Sequence, residues 1–377
     1  MTRCRADVRC GGSRMILGRI AAAAALSIAC IATGIADDTA PPETSGFEPK
    51  VVLITFDGVR WQDVFRGADP ALVKADVHED LHKYVSSAFG SGSSVMPFLH
   101  GVIARQGVLL GNRDVGECAE VQNDMWFSYP GYTEMLAGKP NPEIVENDPI
   151  QNPDVTVLEW ANKRAEFAGK VEMVGTWNLF PYIVNAGRSG VPVNAALNGQ
   201  EGTDARTGRA GLELLASRKP RLIHISFDDT DKYAHVGNYE SYLASMERGD
   251  EYLRQLWQQL QDDPYYRGQT TLIVTTDHGR GHEPREAWHD HSSPRYHALN
   301  PEYQPQYNGI GVVGSDEIWV AALGPAVTSG GRDSYRSGRC VAQAQIAKSI
   351  VVALGGDPGT FTAEAAAPFA FIAAPKQ

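Results

Sequence analysis

Apolar positions along this chain recur in two different periods. Residues 51–56 (VVLITF) are apolar or β-branched throughout, the pattern of a strand buried on both faces of a parallel sheet. Residues 272–276 and 318–323 follow the same pattern, and 171–176 and 222–227 follow it apart from the polar Glu172, His224 and Ser226. Between them, residues 155–168, 239–261 and 342–354 carry apolar side chains at helical spacing. Strands alternating with helices predict an α/β protein, a three-layer α/β/α sandwich around a largely parallel sheet. Residues 185–211 and 281–314 interrupt the alternation with Gly, Pro, Asn and Asp. Irregular stretches of that length are expected to be loops that cover a site, not a second domain.

The N-terminus departs from the globular pattern. Arg3, Arg5, Arg9, Arg14 and Arg19 precede an apolar run at 20–35 that ends in small residues at Gly34 and Ala36. A basic stretch, a short apolar stretch and a small-residue cleavage site describe an export signal over residues 1–36. The mature protein is then periplasmic or secreted. The alternative is an uncleaved anchor, although the run is short and alanine-rich for a membrane span. Residues 37–50, rich in Pro, Glu and Thr, read as a disordered lead-in. Residues 51–377 are enough for one core-bearing domain.

Removing the signal changes the charge. Five of the 34 basic and one of the 45 acidic residues lie before residue 37, which leaves 29 against 44, net −15. So acidic a surface argues against a nucleic-acid partner. Of five cysteines only Cys118 and Cys340 remain. In an oxidising compartment they pair, or they are two buried free thiols.

The candidate chemistry sits where strands end. Asp57 follows VVLITF, Asp277-His278 follows TLIVTT, and Asp228, Asp229 and Asp231 follow LIHISF. Strand carboxyl ends face the ligand crevice in open α/β sheets. Acidic groups gathered there repel one another unless cations neutralise them. Six of the ten histidines lie from His235 to His297. Asp231 and His235 are four apart, on one face of a helix, and His289 and His291 alternate. Carboxylate with imidazole suits zinc or manganese better than calcium or magnesium.

The ordered set FDGVRWQDVF, FSYPGYTEMLAG, TDKYAH, TTDHGRG and WHDH resembles the alkaline phosphatase superfamily, most of all its phosphoglyceromutase-like and nucleotide pyrophosphatase-like branches. The resemblance spans residues 51–354. It implies an alkaline phosphatase-like fold and two divalent transition-metal ions, zinc or alternatively manganese. It implies Asp57, Asp277, His278 and the bridging Ser128 as ligands of one ion, and Asp231, His235 and His291 as ligands of the other. His291 is preferred to His289 because WHDH matches the family's pattern with its last histidine. Ser128 is implied as the nucleophile, and Asn147 as a phosphoryl-binding residue. Pro130 and Gly131 would present Ser128 at a turn before a helix, near amide donors.

Several branches fit poorly. Sulfatases of the superfamily carry Arg four residues after the nucleophile, and Tyr132 stands there. The hundred or so residues between Ser128 and Asp231 are too few for the domain inserted in phosphoglycerate mutases. The membrane helices of lipid phosphoethanolamine transferases are absent from the sequence. The expected activity is hydrolysis of phosphate mono- or diesters, small-molecule substrates, through a phosphoseryl intermediate. Alternatives are transfer to an alcohol, hydrolysis of a sulfate or phosphonate ester, or an inactive metal- or ligand-binding relative. Trp126, Phe127, Tyr129, Tyr132, Trp177 and Phe180 either stack on a leaving group or belong to the core.

Overall fold

A computed structural model describes residues 46–75, 95–195, 203–328 and 339–375. The expected export signal and the lead-in up to residue 45 lie outside these residues, and the chain from Gly46 on forms one compact unit.

Strand β1 (Lys50–Phe56) lies at the centre of a seven-stranded sheet. The other strands among the described residues are β2 (Val108–Leu110), β3 (Ala119–Glu120), β4 (Val171–Gly175), β5 (Val193–Asn194), β6 (Leu222–Phe227), β7 (Thr270–Thr276), β8 (Glu317–Ile318), β9 (Val320–Leu323) and β10 (Val341–Ala342). The order in the large sheet is β2-β9-β7-β1-β6-β4-β5. From β7 to β5 all neighbours are parallel, whereas β9 runs antiparallel to both β7 and β2. A small second sheet, β10-β3-β8, lies apart from it.

Alternate residues of β1 face two separate cores. Val51 and Leu53 pack with helices α2 (Ser128–Ala137), α3 (Val157–Asn162) and α7 (Gln345–Ala353). Val52, Ile54 and Phe56 pack with α1 (Trp61–Arg66), α4 (Asp204–Ser217) and α6 (Tyr239–Asp262). Both faces are therefore dry, which is why the strand sequence is continuously apolar. Each fully buried aliphatic side chain contributes about 1.5–3 kcal/mol. The expected three-layer sandwich is what forms.

Several boundaries differ from expectation, each for a local reason. The helix expected over 155–168 ends at Asn162: Thr156 caps it by accepting from Glu159 N, and the chain then turns so that Phe167 is buried. The strand expected over 318–323 divides at the fully buried Trp319 and serves both sheets, β8 pairing with β3 and β9 with β7. The stretch 185–211, expected as a site-covering loop, contains the start of α4. Its Gly211 is not a loop signal, since a Cβ there would lie 2.7 Å from Ile225 Cδ1. The glycine lets the helix sit close on β6. Beside the small sheet, Cys118 and Cys340 form a disulfide, which decides between the two expected states.

Candidate active site

The register of the sheet brings the acidic residues together. Phe56 pairs with Phe227 on one side and with Thr276 on the other. The next residue of each strand is an aspartate: Asp57, Asp228 and Asp277. They emerge side by side at the carboxyl ends of three adjacent strands. Gly58, at φ 59°, turns the chain away, and a Cβ there would meet Asp231 Oδ1 and Arg280 Nε at 2.8 Å.

One group forms around the end of β1. Asp57 Oδ1 lies 3.3 Å from His278 Nε2, and its Oδ2 accepts from the Tyr132 hydroxyl at 3.1 Å. Asp277 Oδ1 accepts from Gly58 N at 3.0 Å. Its Oδ2 is buried with no hydrogen-bond partner among the described residues. His278 Nδ1 donates to the Gly279 carbonyl at 2.8 Å. Its Nε2 therefore faces Asp57, Asp277 (3.5 Å) and Asp231 (3.8 Å).

The second group forms on α5 (Asp229–His235), where Asp231 and His235 stand one turn apart with Oδ2 and Nε2 at 3.2 Å. The loop at 281–314 brings His291 to them, with its Nε2 2.9 Å from His235 Nε2 and 3.6 Å from Asp231 Oδ1. His289 turns elsewhere: its ring pairs with Asp290 at 3.2 Å and its carbonyl accepts from Arg280.

Ser128 opens α2 between the groups. Its Oγ donates to Asp57 Oδ1 at 3.5 Å and lies 3.4 Å from His278 Nε2. The turn that delivers it is strained, because Trp126 has φ 59°. Asn123 Oδ1 holds that turn by accepting from Met125 N and Trp126 N. Such strain at a non-glycine residue costs roughly 1–3 kcal/mol and gathers at functional sites. Pro130 sits in the first turn, where a missing N–H costs nothing. Tyr129 N donates to Asn147 Oδ1 at 2.9 Å, so Asn147 is tied to the start of the same helix. Ser128, Asn147, Asp231, His235 and His291 line one open cavity.

Too many carboxylates crowd this site for the cations the chain supplies. Burial, and then Asp57, push Asp277 up to about 8. Burial and the neighbouring aspartates hold Asp228 well above the usual carboxylate range. Burial disfavours charge on His278, but Asp277 and Asp57 outweigh it and raise the ring to about 9. Burial, followed by His278 and His235, keeps His291 well below the usual imidazole range.

The same crowding tests whether metal fits. Ligand atoms of Asp57, Asp277 and His278 lie within 4.8 Å of one another, as do those of Asp231, His278 and His291 and those of Asp57, Asp228 and Asp231. Oxygen and imidazole donors, one buried oxygen without a partner and an excess of negative charge fit divalent transition-metal ions.

Seven of the eight residues expected from the sequence, all but Asn147, meet in these contacts, and Asn147 joins them at the cavity wall. Three participants were missed. Asp228 was visible only as a strand-end acid. Arg280, fully buried, donates to Asp231 Oδ1, Gly58 O and His289 O, and its signal was its place within TTDHGRG. Tyr132 was noted as a departure, but its contact with Asp57 was not foreseen. Of the aromatics that could have stacked on a leaving group, Tyr132 and Phe180 are core residues, and Tyr129 packs in the core while lining a neighbouring cavity. Phe127 lines the cavity, with its ring edge on Tyr296.

Comparison with known proteins agrees with the fold and with part of the sequence. Residues 182–294 match the family model described as the Metalloenzyme superfamily. A search of curated proteins returns no match. Among solved structures, Ps i-CgsB aligns over 86% of this chain and 75% of its own at a TM-score of 0.54 and 12% identity. The lipoteichoic acid synthase LtaP from Listeria monocytogenes aligns over 86% and 76%, at 0.53 and 9%. A 2-O GAG sulfatase aligns over 85% and 73%, at 0.50 and 11%. Identities this low speak for the fold alone. The matched segment contains Asp231, His235, Asp277, His278 and His291. No helix among the described residues is long and apolar enough to cross a membrane. In sequence over residues 182–294 and in fold over most of its length, the chain is similar to the Metalloenzyme superfamily, the alkaline phosphatase-like enzymes.

Proposed function

We propose that this protein hydrolyses phosphate mono- or diesters through a phosphoseryl intermediate on Ser128. The observation that carries the reading is the position of Ser128 Oγ. It stands at the first residue of α2, 3.5 Å from Asp57 and 3.4 Å from His278, on the wall of a cavity shared with Asp231, His235 and His291. Asp57, Asp277 and His278, with Ser128, would hold one divalent ion, and Asp231, His235 and His291 a second, zinc or alternatively manganese. Bound there, the ions would supply Lewis acidity that lowers the serine pKa and offsets phosphoryl charge.

The chain's own residues account for the rest. Ser128 Oγ attacks phosphorus, the Oγ–P bond forms and the P–O bond to the alcohol breaks. The serine proton ends on the departing alcohol. Water then attacks the seryl phosphate, the Oγ–P bond breaks, and a proton returns to the serine. The N-terminus of α2 and the Asn147 amide favour the anionic phosphoryl group beside them. Tyr132, where a sulfatase would carry arginine, supports a phosphate over a sulfate substrate.

Export is part of the same reading, supported by the Cys118–Cys340 bond, which persists in oxidising compartments. Acid quench during turnover of a labelled phosphate ester, followed by peptide mapping, tests the mechanism. Label on Ser128 is the expected result, and label elsewhere or none at all overturns it. The N-terminal mass of the secreted protein tests export, and an intact Met1 in a cytosolic fraction would refute it.

A further inference from the structure

A second open cavity adjoins the catalytic one, and Glu146 lines both. Its apolar wall is made by Tyr129, Ile144, Val145, Ile150 and Pro153. Tyr129 directly follows the nucleophile and donates its hydroxyl to the Ile150 carbonyl, which holds the ring in place. Ile150 leaves 66% of its surface in water at the rim. The polar lining includes three carboxylates, Glu143, Glu146 and Asp148, and neither lysine nor arginine.

Three cations that pair beside or bond to the flanking segment are already engaged. Arg295 pairs with Asp124 at 2.7 Å, Lys139 with Asp154 at 3.4 Å and Arg188 with Glu159 at 2.8 Å. Arg295 reaches the segment through the carbonyl of Pro142, and Arg188 through those of Pro153 and Asp154. Glu143 and Asp148 make no ion pair among the described residues. A cavity that is apolar in its walls and negative in its field repels an anionic group and attracts a cationic one.

We infer that this cavity receives the organic part of the phosphate ester, and that this part is an apolar-bodied alcohol bearing an amine or alkylammonium charge. The inference rests on the phosphate-ester reading above. The phosphoryl group occupies the Ser128 cavity, the carboxylates take the positive charge, and the Tyr129 ring and aliphatic wall take the alkyl groups. A second phosphate or a carboxylate on the alcohol is disfavoured.

Three 4-nitrophenyl phosphodiesters test this: those of choline, of its neutral isostere 3,3-dimethylbutanol, and of a hydroxyalkanoate of similar length. From the size of exposed ion pairs and cation–π contacts, kcat/KM for the choline ester should exceed that for the neutral ester by about tenfold. The anionic ester should be slowest. In Glu143→Gln/Asp148→Asn, the choline preference should shrink to within about twofold while the neutral ester is unchanged. A long-chain ester with the same headgroup, presented in micelles, distinguishes a lipid from a small soluble substrate, and turnover of either supports the inference. Equal turnover of all three diesters, or an equal loss on all three in the double variant, overturns the cavity assignment and leaves the hydrolase reading standing. If none is turned over, calorimetry on Ser128→Ala decides: phosphocholine binding more tightly than inorganic phosphate keeps the cavity and refutes diester hydrolysis, whereas equal binding refutes both the cavity and diester hydrolysis.

Discussion

Two clusters of buried charge follow β1 within a few residues of each other, and they are balanced differently. Arg60 and Asp63 are both almost wholly buried, with Nε and Oδ2 at 3.2 Å. Tyr239 donates to Asp63 Oδ1 at 2.6 Å, and Tyr242 accepts from Arg60 N at 3.0 Å. One acid meets one base, with two phenols on their remaining faces. In the other cluster Asp57, Asp228, Asp231 and Asp277 share one guanidinium, Arg280, and the imidazole of His278. Burying a charge is tolerable when an opposite charge is buried with it. The first cluster meets that condition from within the chain and belongs to the framework. The second meets it only with further cations, and so reads as a site.

The largest effect should come from Ser128→Ala. It touches neither carboxylate balance, so the fold and most of the metal content should be kept while kcat falls by roughly three orders of magnitude or more, as expected for loss of a nucleophile. Turnover near the wild-type rate would falsify the role assigned to Ser128. Next, a matched pair separates the two clusters. Asp63→Asn should destabilise the fold by about 3–5 kcal/mol, since it strands Arg60, yet leave metal stoichiometry unchanged. Asp277→Asn should do the opposite, lowering metal content and rate with little loss of melting temperature. If both variants move the same observable, the contrast between the clusters is wrong.

Tyr132→Phe should act more mildly. It removes the hydroxyl that donates to Asp57 while the ring keeps its edge contact with Phe180 at 4.9 Å. Loss of a hydrogen bond onto a metal ligand costs about 10–100-fold in metal affinity. Competition with a chelator measures this, and unchanged affinity would show that Asp57 needs no such support.

The smallest effect concerns His224, buried behind the site with Nε2 3.0 Å from Thr55 Oγ1. Burial lowers its pKa from 6.5 to about 3, so the folded ring stays neutral while the unfolded one protonates. Stability is fully present above pH 6.5 and falls as pH drops toward 3, by up to about 1.4 kcal/mol per pH unit. Denaturant midpoints of His224→Gln should show a flatter acid limb than wild type. An identical limb would mean that His224 is not what titrates.

Most of the candidate site was legible because its residues lie at strand ends. Asp57, Asp277 and His278 could be placed from the apolar runs before them, and Asp231 with His235 from one helical turn. Tyr132 and Arg280 were not legible as partners of Asp57 and Asp231, because those contacts join residues 75 and 49 positions apart. The choice of His291 over His289 rested on likeness to a family's pattern. The physical reason appears only in the folded loop, where Asp290 takes the His289 ring. In α4, glycines that pack against β6 and α6 were mistaken for loop residues, since a sequence does not distinguish a glycine needed for close approach from one needed for a turn.

By itself the sequence determined the layered α/β architecture, because apolar period depends on which faces are buried and that information is local. It also determined which residue types stand at the ends of β1, β6 and β7. The tertiary structure alone decided that those ends are neighbours, that Cys118 meets Cys340 across 222 residues, and that an acidic, apolar cavity opens beside Ser128. These are properties of register and of long-range packing, where charge, distance and burial are set by parts of the chain that no local pattern connects.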